Sequence, residues 1–397
     1  MAFPAPLRRR VVVTGLGVVS CAGIGLDAFW DGLLRPAPEG ERRVRDFDPA
    51  AWFDVKSARR ADRFQQFAIA TAQMALDDAG ELGVDPMRAG VVHGTGVGGL
   101  ETLENQVGVL NSKGPRRVSP FLVPMMMANA AAAAISMRLG WRGPCETIVT
   151  ACAAGTQSIG AGMRLVASGR CDAVLAGGSE AAMTRIGLAA FTNMTALSTS
   201  NVSRPFDVRR DGFVIAEGAA SLVLEELEHA RSRGAHIYAE LLGAASTADA
   251  HHITMPAPGG AGALACMELA LDDAGITPAD VEHVNAHGTS TPLNDLAEAE
   301  AIEKLFGRRG PLVTSIKGVT GHSLGAAGAI EAVASALTIV RHEVPPTAGL
   351  EQLDPEMHID VAIGGPRPFA GGAVLSNSFG FGGHNGCLVL APLQSEL

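Results

Sequence analysis

The chain contains itself twice, and that repetition limits what it can fold into. The run MALDDAG at 74–80 returns as LALDDAG at 269–275. Each copy leads into a strand-like segment ending in His-Gly-Thr: VVHGT, from Val91 to Thr95, and VNAHGT, from Val284 to Thr289, with spacings that differ by one residue. VTACAAGT (149–156) has the shape of VTGHSLGA (319–326), and DAVLAGGSEAA (172–182) that of GAVLSNSFGFGG (372–383). Helical patterns such as FQQFAIATAQMALDDAG alternate with short β-branched runs, which predicts a mostly parallel sheet covered by helices. No Pro- or Ser-rich linker interrupts the chain. Two α/β halves, 1–235 and 236–397, are therefore expected in one fused core, dividing in the charged helix EELEHARSRGAH. Ligands in such sheets bind beyond the carboxyl ends of the strands. The matched ends place Cys152 and His322 in equivalent positions, and likewise His93 and His287, and all are expected to converge.

Composition narrows the class. A chain of 397 residues with 47% apolar content and 48 glycines suits closely packed α/β layers. A net charge of −10 argues against a general nucleic-acid binder. Six scattered cysteines without CxxC or metal-finger spacing point to a reduced, cytoplasmic compartment. LRRRVVVTGLGVVSC has the outline of a secretory leader, but its β-branched run, broken by Thr14, Gly15 and Gly17, reads as a first strand and turn. The apolar stretch from Val123 to Met137 is too short for a membrane span and contains Asn129.

The chemistry centres on VTACAAGTQS. Cys152 stands where a β-like run gives way to a helix, and a thiol there meets the positive end of the helix dipole and unpaired N–H groups. Cys145, Cys171, Cys266 and Cys387 read as inert cysteines. Companions for Cys152 are His287 in VNAHGTSTPLND and His322 in KGVTGHSLGAAGA, both in glycine-flanked turns. Lys317 precedes His322 by five residues, and Asp295, Glu298 and Glu331 are acids that can orient or neutralise it. Glu298 also reads as one acid on a solvated helix face.

With these residues, the chain resembles a β-ketoacyl-acyl-carrier-protein synthase of the thiolase superfamily, close to the type II condensing enzymes. The likeness runs from VVVTGLGVVS through TACAAG, SRPFDVRRDGFVIAEGAA, VNAHGTSTPLND and KGVTGHSLGAAGAIEA to SNSFGFGGHNG, nearly the whole chain. It implies a thiolase-like fold, two duplicated halves in αβαβα layers, and decarboxylative condensation without metal or cofactor. The partners it implies are an acyl carrier protein and a second subunit, identical or a chain-length-factor homologue from a polyketide system. By motif, Cys152 is the nucleophile, His287 and His322 are the catalytic histidines, and Lys317 and Glu331 support them. Thr289 and Thr291 match the residues that hold the pantetheine arm. Phe379 and Phe381 fall in the glycine-rich gate, where the Phe381 N–H joins that of Cys152 as an oxyanion hole. Val97 falls where the family lines its acyl pocket, and Arg59, Arg63, Arg116 and Arg117, with Arg60 beside them, fall in its carrier-docking regions. His384 departs from the threonine of many relatives.

Two other motifs compete. GHSLG, Gly321 to Gly325, spells a serine-hydrolase elbow, with Asp354, Asp360 and His384 downstream, but KGVT separates it from the preceding strand-like VTSI. GTGVGG, Gly94 to Gly99, fits a dinucleotide loop, but no strand ending in an acid follows at the required distance, so close packing is expected there. His251 and His252 read as loop residues rather than metal ligands.

Overall fold

The computed structural model describes residues 8–394. The N-terminal half supplies β1 (Val11–Ser20), α1 (Arg63–Ala79), β2 (Ala89–Gly94), α2 (Ala154–Ala167), β3 (Ala173–Glu180) and β4 (Gly218–Glu226). The C-terminal half supplies β5 (Ala239–Ala248), α3 (Ala261–Ala274), β6 (Val281–Asn285), α4 (Pro292–Phe306), β7 (Leu312–Thr314), α5 (Ala327–Arg341), β8 (Ala373–Gly380) and β9 (His384–Ala391).

The strands join in the order β7-β6-β8-β9-β5-β1-β4-β3-β2, so each half repeats the same sequence of neighbours outward from the centre. The halves meet where β1 pairs with β5, through Val12–Glu240 and Val13–Ala239. The mostly parallel sheet expected from the sequence is corrected to a mixed one. β2/β3, β6/β8 and β6/β7 are parallel, while β3/β4, β8/β9, β1/β4 and β5/β9 are antiparallel. The physical reason at β8/β9 is the FGG turn at 381–383, which closes a hairpin where a crossover helix would be needed for parallel strands.

Alternation along the strands builds five layers. In β3, Ala173 and Leu175 face Phe64 and Phe67 of α1, while Val174 and Ala176 face Ile159 and Met163 of α2. In β8, Leu375 faces Cys266 and Met267 of α3, while Val374 joins the central core with Ile330 and Val333 of α5. Both faces of each half of the sheet are thus covered, which explains strands without polar alternation. Helices α2 and α5 form the middle layer. The stretch Leu324–Arg341 has the length and apolarity of a membrane span, but 89% of it is buried in this layer.

The repeated LDDAG has a structural meaning. In α1, Asp78 accepts the Leu16 N–H of β1 at 2.9 Å; in α3, Asp273 accepts the Ala244 N–H of β5 at 2.8 Å. Each copy pins its helix to the first strand of its own half. The close fit of α1 also explains GLG in β1: a Cβ at Gly15 or Gly17 would collide with the helix carbonyls of Ala75 and Thr71. Within the leader-like stretch, Val11–Ser20 form this fully buried central strand, while its Leu7 lies outside the described residues.

Candidate active site

The ends of the two halves enclose a cavity of about 510 Å³ at the junction of the sheets. Cys152, His287 and His322 line it, and their sulfur and ring nitrogens lie within 4.8 Å of one another. Cys152 Sγ is 3.0 Å from His322 Nε2, and the two imidazoles sit edge to face with centroids 5.3 Å apart. Tetrahedral zinc bonds of about 2.3 and 2.0 Å would separate sulfur from nitrogen by about 3.5 Å. The shorter contact is a hydrogen bond, and the Lys317 ammonium beside His287 opposes a dication.

Each side chain is delivered by strained or tethered backbone. Ala151, before the nucleophile, has φ 49°, a conformation costly for a residue with a Cβ. His322 is clamped on both sides: its N–H donates to the Val214 carbonyl at 2.7 Å and its carbonyl accepts the Ala216 N–H at 3.0 Å. Glu298 is fully buried and accepts the N–H groups of His287 at 2.8 Å and Gly288 at 2.7 Å, with Asn377 at 3.2 Å. The solvated-face reading of Glu298 is therefore corrected: it holds the His287 loop. Asp295 is likewise spent on backbone, accepting Phe206 N–H at 2.9 Å and Ser290 N–H. Glu331 alone of the three acids pairs directly with Lys317, both being buried.

Lys317 Nζ donates to the His287 carbonyl at 2.6 Å and lies 3.4 Å from His287 Nδ1. An ammonium only donates, so Nδ1 must accept and the His287 proton resides on Nε2. Burial and the Lys317 charge hold both histidines well below the ordinary imidazole range, so both are neutral. Among the described residues His322 Nδ1 has no hydrogen-bond partner, which leaves its proton free to sit on either nitrogen. The helix dipole does not win at Cys152. Burial pushes the thiol up to about 12, against the opposing pull of Lys317 and the Phe381 N–H. The resting group is a thiol, and a proton acceptor must act during attack.

Other expected residues divide. Thr289 and Thr291 line the cavity with hydroxyls 2.9 Å apart, and Phe379 and Phe381 line it beside them. The turn at Phe381 is possible because Gly382 and Gly383 take φ of 81° and 72°. It is tethered to a neighbouring loop by Gly382 N–H to the Ile253 carbonyl at 2.7 Å. His384 sits against Gly382. Val97 does not line this cavity: it is 48% exposed, because the turn around it folds its backbone inward. Arg63 leaves the docking set too. It is drawn inward to the buried Glu217 at 2.8 Å, whereas Arg59, Arg60, Arg116 and Arg117 are exposed. Arg60 stacks over the Phe121 ring at 4.3 Å, which brings the two basic segments together.

The matching of the halves is itself corrected. Ala151 and Leu324 share the unusual positive φ, 49° and 46°, and each opens a short turn followed by α2 or α5. Cys152 is thus equivalent to Gly325, and His322 stands three residues earlier. His93 is not in the site either. Val92 pairs with Ala176 and Asn285 with Ser376, so His93 corresponds to Ala286, and the extra residue carries His287 one step further, two residues past the end of β6. By alternation His93 shares the outer face of Val91.

His93 is fully buried, and among the described residues neither ring nitrogen has a partner. Burial lowers its pKa from 6.5 to about 3. Between those values the unfolded chain binds a proton that the folded chain refuses, so stability is lost as pH falls below 6.5. At pH 5 this costs about 2 kcal/mol. His93→Leu is expected to raise the melting temperature more at pH 5 than at pH 7.5; an equal gain at both would contradict the assignment.

The competing motifs resolve on geometry. Ser323 does not line the cavity, Asp354 is paired with Arg210 at 2.6 Å, and Asp360 with Arg367 at 2.8 Å. The N–H groups of Gly96 and Val97 in GTGVGG are turned onto the Glu180 carboxylate, where a nucleotide loop would offer them to phosphate. His252 Nδ1 accepts the N–H groups of Thr254 and Met255, closing a turn.

A buried thiol clustered with two neutral imidazoles at the meeting of the two halves defines a thiol-dependent acyltransferase on a duplicated α/β fold. The sequence signatures of the beta-ketoacyl synthase N-terminal domain and C-terminal domain match residues 36–230 and 238–351. The chain belongs to the β-ketoacyl synthase family. It is 45% identical to a 3-oxoacyl-[acyl-carrier-protein] synthase 2 of Synechocystis, over 98% of this chain and 99% of that protein, and 43% identical to one of Staphylococcus aureus over the same shares. Among solved structures it is similar to the ishigamide ketosynthase/chain length factor, with a TM-score of 0.91 and 35% identity over 98% of this chain and all of the other. It is also similar to a beta-ketoacyl synthase of Burkholderia phymatum, with a TM-score of 0.90 and 33% identity over 97% of this chain and all of the other. These likenesses carry the thiolase-like fold.

Proposed function

We propose that the protein joins an acyl group, carried on Cys152, to a malonyl-acyl-carrier-protein substrate by decarboxylative Claisen condensation, as in fatty-acid-type elongation. The observation that carries this is the contact of Cys152 Sγ with His322 Nε2 at 3.0 Å, with His287 in the same cluster.

In the first step the sulfur attacks an acyl thioester while His322 Nε2 takes its proton, then returns it to the departing carrier thiolate. The backbone N–H groups of Cys152 and Phe381 receive the oxyanion. In the second step loss of carbon dioxide leaves negative charge on the malonyl thioester oxygen, which His287 Nε2–H and His322 are placed to meet. The enolate carbon attacks the acyl-enzyme, the bond from the acyl carbon to sulfur breaks, the Cys152 thiolate takes up a proton from solvent by way of His322 to return to the thiol, and the β-ketoacyl product leaves on its carrier. No general base is needed for the carbanion, since decarboxylation supplies the electron pair, so neutral imidazoles suffice. Thr289 and Thr291 are the proposed contacts of the pantetheine arm. Six unpaired cysteines fit a reducing, cytoplasmic setting.

Acyl carrier protein is the proposed partner at Arg59, Arg60, Arg116 and Arg117. A second thiolase-fold subunit is proposed over the exposed edge strand Cys145–Glu146, beside which the neighbouring helix exposes Met137 and the following segment exposes Val149. Similarity to a ketosynthase/chain-length-factor pair favours a second reading, in which that subunit is a chain-length homologue of a polyketide system. One assay tests these points. Acyl carriers of graded length are incubated with malonyl carrier, with and without co-expressed partner, and products are read by mass. Carbon dioxide release with two-carbon extension is expected, and hydrolysis alone would overturn the proposal. Reversing the four arginine charges is expected to raise KM for the carrier about tenfold at low salt with little change in kcat.

A further inference from the structure

The two halves present equivalent anion-binding corners, and only one is open to a substrate. In the working corner, Gly380 at the end of β8 packs so closely on Cys152 that a Cβ there would lie 3.0 Å from the Cys152 nitrogen, and both residues line the cavity. In the twin corner, built from the same two halves with their roles exchanged, the strand-end position of Gly380 is taken by Glu180, and that of Cys152 by Gly325. Glu180 is fully buried. Its carboxylate accepts Gly325 N–H at 3.0 Å, Gly96 N–H at 2.6 Å, Val97 N–H at 3.4 Å and the Thr95 hydroxyl at 3.0 Å. Among the described residues no lysine, arginine or histidine forms an ion pair with it.

We infer that the Glu180 carboxylate plugs the twin of the oxyanion corner and, by tying the 95–97 loop to Gly325, is a positioning residue for the turn that presents His322 to Cys152. Gly325 lies three residues after His322 and contacts the 95–97 loop so closely that a Cβ on it would collide with the Gly96 N–H. That backbone-to-backbone contact has no side chains to hold it, and the carboxylate is the group that bridges it. Four donors converge on it and no acceptor does, except that the Thr95 hydroxyl also takes the Gly98 N–H at 3.1 Å. The site is therefore built for an ionised group, although burial pushes the carboxyl up to about 7. Its charge also raises the Cys152 thiol, acting with Glu331 and against Lys317.

The inference rests on Cys152 being the acylated nucleophile, and the test separates the two. Wild-type protein is first shown to take an acyl group on Cys152; failure there sinks the functional reading. Glu180→Gln and the near-isosteric Thr95→Val are then compared with it in condensation and in the pH profile of Cys152 alkylation by iodoacetamide. Glu180→Gln keeps the size but presents an amide to converging N–H groups. Its kcat is expected to fall tenfold or more with KM nearly unchanged, while the alkylation midpoint moves to lower pH because a negative charge near the sulfur is gone. Thr95→Val is expected to fall a few-fold in kcat. A merely structural role would weaken both proteins without moving that midpoint. If Glu180→Gln does not fold, Thr95→Val decides: wild-type kcat in it would overturn the inference. So would wild-type kcat or an unmoved midpoint in folded Glu180→Gln.

Discussion

Cys152→Ala is expected to lower condensation by about 10⁴-fold or more and to leave no acyl group on the enzyme. The size follows from the role. Without the sulfur there is no covalent intermediate, and the remaining groups contribute only binding and polarisation. The substitution removes one buried atom and its contact with His322 Nε2, but none of the backbone bonds that clamp His322 or the bonds that hold His287 and Lys317, so the fold should persist. Decarboxylation of malonyl carrier is expected to survive, because the imidazoles that meet its developing charge are intact. This split between lost condensation and retained decarboxylation is the informative outcome. Ser323→Ala should retain activity within a few-fold. Loss with Ser323→Ala and survival with Cys152→Ala would reinstate the serine-elbow reading.

Lys317→Met is expected to fail in two ways at once. Lys317 and Glu331 are a buried ion pair. Removing one partner of such a pair costs about 3–5 kcal/mol, because the other charge loses its compensation. Burial already pushes the Glu331 carboxyl up to about 7. Without Lys317 it should take up a proton, so the destabilisation is expected to be larger at pH 8.5 than at pH 6. Activity should fall about 10²–10³-fold, since the ammonium fixes the proton of His287 on Nε2. Decarboxylation should fall with condensation, in contrast to Cys152→Ala. A stable variant that still decarboxylates malonyl carrier at the wild-type rate would contradict this assignment of His287. Melting curves at the two pH values and separate assays of the two half-reactions make the check.

Much of the fold was legible because duplication writes the same constraints twice. The LDDAG copies announced equivalent helices, and each proved to pin its helix through Asp78 or Asp273. The division of labour within the site was less legible. The cysteine and two histidines stood out because they occupy small-residue turns at strand ends. Their exact matching did not, since VTACAAGT and VTGHSLGA align by letter in one frame and by backbone in another, three residues apart. The extra residue in VNAHGT was visible, but its consequence needed the strand register: one added residue sends His287 into the cavity and leaves His93 in the outer core. Glu180 was missed as a functional candidate. The signal available was an acid ending a strand in the half that carries the nucleophile, where the other half has glycine.

The sequence alone determined the duplicated α/β architecture, the Cys-His-His chemistry and the family, because periodicity, turn residues and reactive side chains are local properties. Only the tertiary structure decided that Lys317 fixes a tautomer, that Arg63 turns inward, that Val97 lies outside the cavity, and that burial keeps Cys152 a thiol. Each of these depends on which charges and N–H groups meet at a few ångströms from distant parts of the chain. Electrostatic balance in a desolvated site is set by those distances, and no spacing along a sequence encodes them.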